Sequence, residues 1–79
     1  MRTYFIEKIG RGIASGYSEN LLDIAQEFDG IIDKYVGEGW TVIDKDLRLG
    51  VDLSSVVMKR KDEGSMVSIV GYQIKSVEV

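Results

Sequence analysis

The sequence predicts an α+β domain with the element order β-α-β-β-β, in which one helix packs on one face of an antiparallel meander sheet. Residues 18–36 place apolar side chains along one stripe at helical spacing, which is typical of a helix on a core. Four other segments are rich in β-branched and aromatic residues, which indicates strands. The chain has 79 residues, enough for one hydrophobic core and too few for two, so residues 1–79 form a single predicted domain.

The first strand is predicted at residues 2–9, and the segment between it and the helix is predicted to be a loop. Gly10, Gly12 and Gly16 lie close together in this segment, and glycine adopts positive φ angles without steric strain. Ser18 has a side chain that accepts hydrogen bonds from helical N–H groups, so it is the predicted N-cap of the helix.

Three strands are predicted after the helix, which ends at the glycines of positions 37 and 39. These strands cover residues 40–49, 53–61 and 66–79. The apolar phase of the first of them changes near Lys45, and Gly71 interrupts the last, so we expect a β-bulge at each place. Trp40 is expected to pack where the helix meets the sheet.

Composition excludes several kinds of function. The chain contains no histidine and no cysteine, which removes the commonest general base, the commonest metal ligand and any thiolate site. We therefore expect a protein that is not an enzyme, with no catalytic residue, no metal site and no cofactor. The net charge of −3 disfavours nucleic-acid binding. No apolar run is long enough for a signal peptide or a membrane span, so we expect a cytoplasmic protein without membrane contact.

The glycine segment is the first candidate binding site. It comprises Gly10, Arg11, Gly12, Ser15 and Gly16, and the prediction places it between a strand and the N-terminus of a helix. Backbone N–H groups and the helix dipole hold phosphates at such positions, and Arg11 would add a positive charge, so an anionic nucleotide is one predicted ligand. The spacing matches neither the dinucleotide fingerprint nor the P-loop, which favours an ordinary loop without a ligand.

The second candidate is the polar side of the helix. Acidic side chains recur there at intervals of four residues, at Glu19, Asp23 and Glu27 and again at Asp29 and Asp33. Like charges at this spacing repel one another. One hypothesis is that this surface docks on a basic partner protein, as a small phage-type inhibitor would. The other is that it is an ordinary solvated face.

A third hypothesis concerns Lys59, Arg60 and Lys61 at the end of a strand, which could contact nucleic-acid phosphates. Successive strand residues point to opposite faces of a sheet, so Arg60 is predicted to point away from the two lysines. The alternation therefore weakens this hypothesis.

Part of the chain resembles a known family. The relevant motifs are Gly-Glu-Gly-Trp at residues 37–40 and Val-Met-Lys-Arg at residues 57–60. On these motifs, residues 2–61 resemble the small bacterial and phage proteins grouped as domain of unknown function 4177. The resemblance implies a compact strand-helix-strand-strand core and supplies no reaction, ligand or site. The segment after Lys61 is an addition to that pattern, and we expect it to be a strand used in assembly.

These observations favour a non-enzymatic interaction module that self-associates as a homodimer or a higher oligomer. The last predicted strand carries apolar residues on both faces, with Val67 and Ile69 on one and Val70 and Ile74 on the other. One helix covers only one face of a sheet, so the second apolar face needs another partner. We expect the contact to form through the first or the last strand. A small-molecule-binding oligomer that uses the glycine segment is the alternative.

Overall fold

The computed structural model describes residues 2–46, 54–62, 64 and 66–78, with side chains for all of these except residues 13–16. This part of the chain forms one helix and one five-stranded antiparallel sheet of order β2-β1-β5-β4-β3. The elements are β1 (Arg2–Lys8), β2 (Gly12–Ser18), α1 (Leu21–Gly37), β3 (Thr41–Asp46), β4 (Ser55–Lys61) and β5 (Val67–Glu78). The predicted α+β class, with a helix on an antiparallel sheet, is confirmed.

The predicted loop at residues 10–17 is wrong, because most of it is strand β2, paired antiparallel with β1. The glycines serve a tight hairpin: Gly10 and Gly12 have φ angles of 82° and 89°, and the N–H of Arg11 donates to the carbonyl of Lys8 at 2.9 Å. Two shifts of register interrupt the β1–β2 pairing, so this glycine-containing strand is bulged. The glycines of this segment correctly indicated that the chain turns here. The turn is shorter than predicted, because Gly12–Ser18 is a strand.

The helix begins two residues later than predicted, because Asn20 is its N-cap and Ser18 ends β2. The Asn20 side-chain oxygen accepts from the N–H of Leu22 at 2.9 Å, while the Ser18 hydroxyl oxygen accepts from the N–H of Asn20 at 3.0 Å. The predicted end is confirmed, since α1 closes at Gly37 and Gly39 follows it with a φ of 95°.

The hydrophobic core lies between α1 and the inner face of the sheet. The helix contributes Ile24, Phe28 and Ile32, which recur every four residues along one side. The strands contribute alternate residues, namely Ile6, Val56, Met58, Val70, Tyr72 and Ile74. Trp40 is half-buried and packs against this core, as predicted. The buried side of the helix and the buried face of the sheet therefore pack together in one layer of side chains.

The two predicted bulges have different outcomes. In β3 the register shifts between Val42 and Asp44, so the irregular residue is Ile43 rather than Lys45. In β5 the pairing with β4 runs through Gly71 without a shift. A Cβ atom on Gly71 would lie 3.0 Å from Cδ1 of Ile9, so this glycine makes room for a neighbouring side chain.

The ends of three predicted strands, at residues 47–49, 53 and 79, lie outside the described residues. Within the described part of the chain, no helix is long and apolar enough to cross a membrane.

Candidate interaction surface

Strand β5 runs past the end of its neighbour β1. The β1–β5 pairing extends from Arg2 opposite Glu78 to Lys8 opposite Tyr72, and the chain then turns away at the hairpin that leads into β2. On the other side, β4 stays paired with β5 as far as Val67. Residues 67–70, which we call the β5 edge, therefore have a neighbouring strand on one side only.

The β5 edge presents unpaired backbone groups. In an antiparallel strand, the N–H and C=O of one residue point to the same side, and alternate residues share that side. Gly71 points its carbonyl toward β1, where it accepts from the N–H of Ile9 at 2.9 Å. Val67 and Ile69 therefore point their peptide groups to the open side, where no described residue pairs with them. These groups form a template for one more strand.

The two outer strands of the sheet are protected against such pairing. The pairing of β2 is broken by two register shifts, and β3 carries a bulge followed by Asp44, Lys45 and Asp46. Bulges and charges at a sheet edge oppose the addition of another strand. The β5 edge reads Val-Ser-Ile-Val, has no charge and no proline, and keeps regular register. It is the unprotected edge of the described sheet.

Apolar side chains are exposed beside the β5 edge. Ile69 is 67% exposed, and Ile9, Met66 and Val67 are also exposed large hydrophobic residues. Ile9 contacts the Gly71 position, and Met66 and Val67 precede Ile69 along the same hairpin. A group of exposed apolar residues next to unpaired backbone is typical of an interaction surface.

The β4–β5 hairpin that carries this edge is fixed at its turn. The N–H of Asp62 donates to the carbonyl of Met66 at 2.6 Å, and the Asp62 carboxylate accepts from Ser68 and Arg60. These two hydrogen bonds, the one from Ser68 being the stronger cause, hold the pKa of Asp62 below its ordinary value. The carboxylate therefore stays ionised and keeps the start of β5 against the end of β4.

A cleft of about 220 Å³ opens beside the β5 edge, where β1 and α1 end. Its lining residues are Lys8, Ile9, Arg11, Tyr35, Trp40, Ile69, Val70 and Gly71. Two of them are cations and none is acidic. This lining contrasts with the overall negative charge of the chain.

An aromatic cluster forms one wall of the cleft. The Tyr35 ring packs edge-on against Trp40, with ring centroids 5.2 Å apart, and lies 5.5 Å from the Tyr72 ring. The hydroxyl groups of Tyr35 and Tyr72 form a hydrogen bond of 2.7 Å. The Arg60 guanidinium lies over Trp40, 4.9 Å from its ring centroid. These contacts hold the wall in one arrangement.

Tyr72 provides a prediction about alkaline stability. Burial, together with the hydrogen bond to Tyr35, raises the pKa of Tyr72 above the ordinary tyrosine value. Because the folded state holds the Tyr72 proton more tightly than the unfolded state does, the protonated hydroxyl stabilises the fold below about pH 10, where unfolded tyrosine titrates. This stabilisation is lost as the pH rises further. We expect the melting temperature to fall between about pH 9 and about pH 12, and to fall less in Tyr72→Phe. The exposed Tyr17→Phe is the control, and equal slopes for both variants would contradict this assignment.

The structure separates the residues of the glycine segment. Arg11 lines the cleft and Gly10 lies in the adjacent turn, whereas Gly12 begins β2 and Ser15 and Gly16 lie within it. The seven residues of β2 span roughly 23 Å, so the helix N-terminus is at the opposite end of the strand from Arg11. Arg11 is therefore not beside the helix N-terminus, because the predicted loop is a strand. That these five residues bind an anionic ligand stays a prediction.

The acidic residues lie on the solvent side of α1, as their spacing predicts. Asp23, Glu27, Asp29 and Asp33 are exposed, as is Glu19 before the helix, and none pairs with a cation of the described chain. That this surface docks on a basic partner stays a prediction.

The basic residues at the end of β4 are divided between the two faces of the sheet. Arg60 lies over Trp40, and the strand alternation puts Lys59 and Lys61 on the opposite face. The three charges do not form one patch, which does not favour the nucleic-acid hypothesis.

Comparisons with known proteins give no relative from which a function could be transferred. No protein-family model, no curated protein and no solved structure matches the chain. Among the residues that the structure describes, no group of three or more potential ligands could hold a metal ion.

Proposed function

We propose that the protein is a non-enzymatic interaction module that self-associates, with two copies pairing antiparallel through their β5 edges. The observation that carries this proposal is the unpaired, uncharged backbone of residues 67–70 beside exposed apolar side chains. The first strand, which was the other predicted contact, offers no free edge because β1 lies between β2 and β5.

A second copy suits this edge because the edge is complementary to itself. A two-fold axis near Ser68 would place Val67 of one copy opposite Ile69 of the other. The peptide groups of Val67 and Ile69, which point to the open side of each strand, could then exchange hydrogen bonds with those of the other copy. The side chains of the paired Val67 and Ile69 would pack together on one face of the joined sheet. The edge has no charge that would repel its own copy.

The expected affinity is modest. A strand pair of four residues per copy is short, and stable interfaces bury about 800 Å² on each partner. Ile9 and Met66, which flank the edge, would have to be covered as well. We therefore expect association in the micromolar range rather than a permanent dimer.

Sedimentation equilibrium from about 1 µM to about 1 mM tests the proposal. We expect wild-type protein to show a concentration-dependent dimer and Ile69→Lys to stay monomeric, because a charge on the pairing edge opposes strand addition. Ile69→Pro is a second variant, since it removes an N–H that points to the open side and leaves the β4 pairing groups in place.

Leu22→Lys is the matched control, because Leu22 on the helix is 65% exposed and Ile69 on the edge is 67% exposed. It should dimerise as wild type does. Circular dichroism establishes that each variant is folded. A wild-type protein that is monomeric at about 1 mM, or a Leu22→Lys variant as monomeric as Ile69→Lys, would overturn the proposal.

A further inference from the structure

The cleft beside the β5 edge has an unbalanced positive charge. Lys8 and Arg11 line it, and neither forms a salt bridge with a described residue. Arg60 is nearby over Trp40, but its guanidinium is already paired with Asp62 at 3.1 Å. Two uncompensated cations in one concave site favour an anionic ligand.

The end of the helix does not oppose an anion at this place. Free carbonyl groups at a helix C-terminus attract cations and repel anions. Here the carbonyls of Lys34, Tyr35 and Val36 accept hydrogen bonds from the N–H groups of Glu38, Gly39 and Trp40. These carbonyls are therefore occupied, and the two cations dominate the charge of the lining.

The remaining lining is flat and apolar. Tyr35 and Trp40 supply aromatic surface, and Ile9, Ile69 and Val70 supply aliphatic surface. The cleft volume of about 220 Å³ is below the roughly 300–1,000 Å³ that is usual for ligand pockets. This space suits one ring with one anionic group and is too small for a dinucleotide.

We propose that this cleft binds a small organic anion with a flat apolar body, such as an aryl phosphate or an aryl carboxylate. Arg11 and Lys8 bind the anionic group, and the Tyr35–Trp40 wall contacts the ring. The site uses residues of one copy only, so it does not depend on self-association. It also differs from a phosphate loop, because its cations come from a hairpin turn and its aromatic wall from the other end of the helix.

Trp40 is the single tryptophan of the chain, so its fluorescence reports on this wall directly. Phenyl phosphate and benzoate, titrated to about 10 mM into dilute protein, should each give a saturable change in Trp40 emission. Inorganic phosphate has the anionic group without the ring, and phenol has the ring without the anionic group. We expect both to bind at least about tenfold more weakly than phenyl phosphate.

Arg11→Ala tests the charge contribution, with Lys45→Ala as control, because Lys45 lies on β3 and does not line the cleft. Arg11→Ala should weaken phenyl phosphate binding about tenfold or more, since a charge-assisted hydrogen bond is lost, while Lys45→Ala should bind as wild type does. Arg11 is exposed in a turn, so its removal should leave the fold intact, which circular dichroism would verify.

Three results would overturn the proposal. The first is that neither aryl anion gives a saturable change in wild-type protein. The second is equal weakening by Arg11→Ala and Lys45→Ala. The third is inorganic phosphate binding as tightly as phenyl phosphate, which would mean that the aromatic wall takes no part. Ile69 also lines the cleft, so Arg11→Ala is the variant that separates the two proposals: it should weaken the binding of phenyl phosphate and leave the dimer seen by sedimentation unchanged.

Discussion

Replacing Phe28 with alanine is expected to lower the free energy of unfolding by about 3–5 kcal/mol. Phe28 is 1% exposed and is among the largest fully buried side chains of the described core. Its removal loses apolar burial and leaves a cavity between α1 and the sheet, which a single helix on one face can close only in part. A domain of this length is stable by about 4–12 kcal/mol, so the variant would lose a large share of its stability.

Urea titration followed by circular dichroism measures this effect. The midpoint should fall strongly in Phe28→Ala while the slope of the transition is retained. Leu22→Ala is the control on the same helix, because Leu22 is exposed and its truncation should change the free energy of unfolding by less than about 1 kcal/mol. Similar losses in the two variants would mean that α1 does not pack on the sheet through the Phe28 side.

The core could be predicted because helix and strand impose different periods on the sequence. Ile24, Phe28 and Ile32 recur every four residues, and they are the buried residues of the helix. Val70 and Ile74 lie on one face of the last strand and are buried, whereas Val67 and Ile69 lie on the other face and are exposed. The sequence alone therefore showed that this strand has two apolar faces, and the structure shows which of them is buried.

The hairpin at residues 10–18 could not be predicted from local composition. Glycine favours turns and weakens strands, so three glycines in a short segment indicate a loop. Pairing with β1 outweighs this preference, since the backbone hydrogen bonds of a whole strand are gained and two bulges absorb the irregularity. The helix cap moved for the same reason, because Ser18 was needed in β2 and Asn20 was the next residue able to cap.

The cleft and the β5 edge were hidden for a different reason. Both depend on how far one strand extends past another, which is a matter of register and not of residue type. Arg11 was recognised as a candidate ligand residue, but its neighbours Lys8, Tyr35 and Trp40 come from separate segments. Their convergence follows from the antiparallel return of α1 to the hairpin end of the sheet. A short sequence motif does not indicate which distant segments lie beside it, so the cleft could not be predicted from the glycine segment alone.

Two glycine-to-alanine substitutions, one within α1 and one just after it, should have opposite effects. Gly39→Ala is expected to lower the free energy of unfolding by about 1–2 kcal/mol, because Gly39 has a φ of 95°, where a Cβ atom strains the backbone. Gly30→Ala is expected to raise it by about 0.5–1 kcal/mol, because Gly30 lies inside the helix, where alanine restricts the unfolded chain and favours helical backbone.

The comparison isolates backbone conformation from packing. A Cβ atom built at either position has no neighbouring atom within 4 Å, so neither variant gains or loses a side-chain contact of note. Urea midpoints of the two variants should therefore lie on opposite sides of the wild-type midpoint, separated by about 1.5–3 kcal/mol in free energy. A neutral or stabilising Gly39→Ala would contradict the left-handed turn that ends the helix. That turn directs Trp40 back onto Tyr35, through a hydrogen bond of 3.0 Å from the Trp40 N–H to the Tyr35 carbonyl, so the aromatic wall of the cleft depends on it.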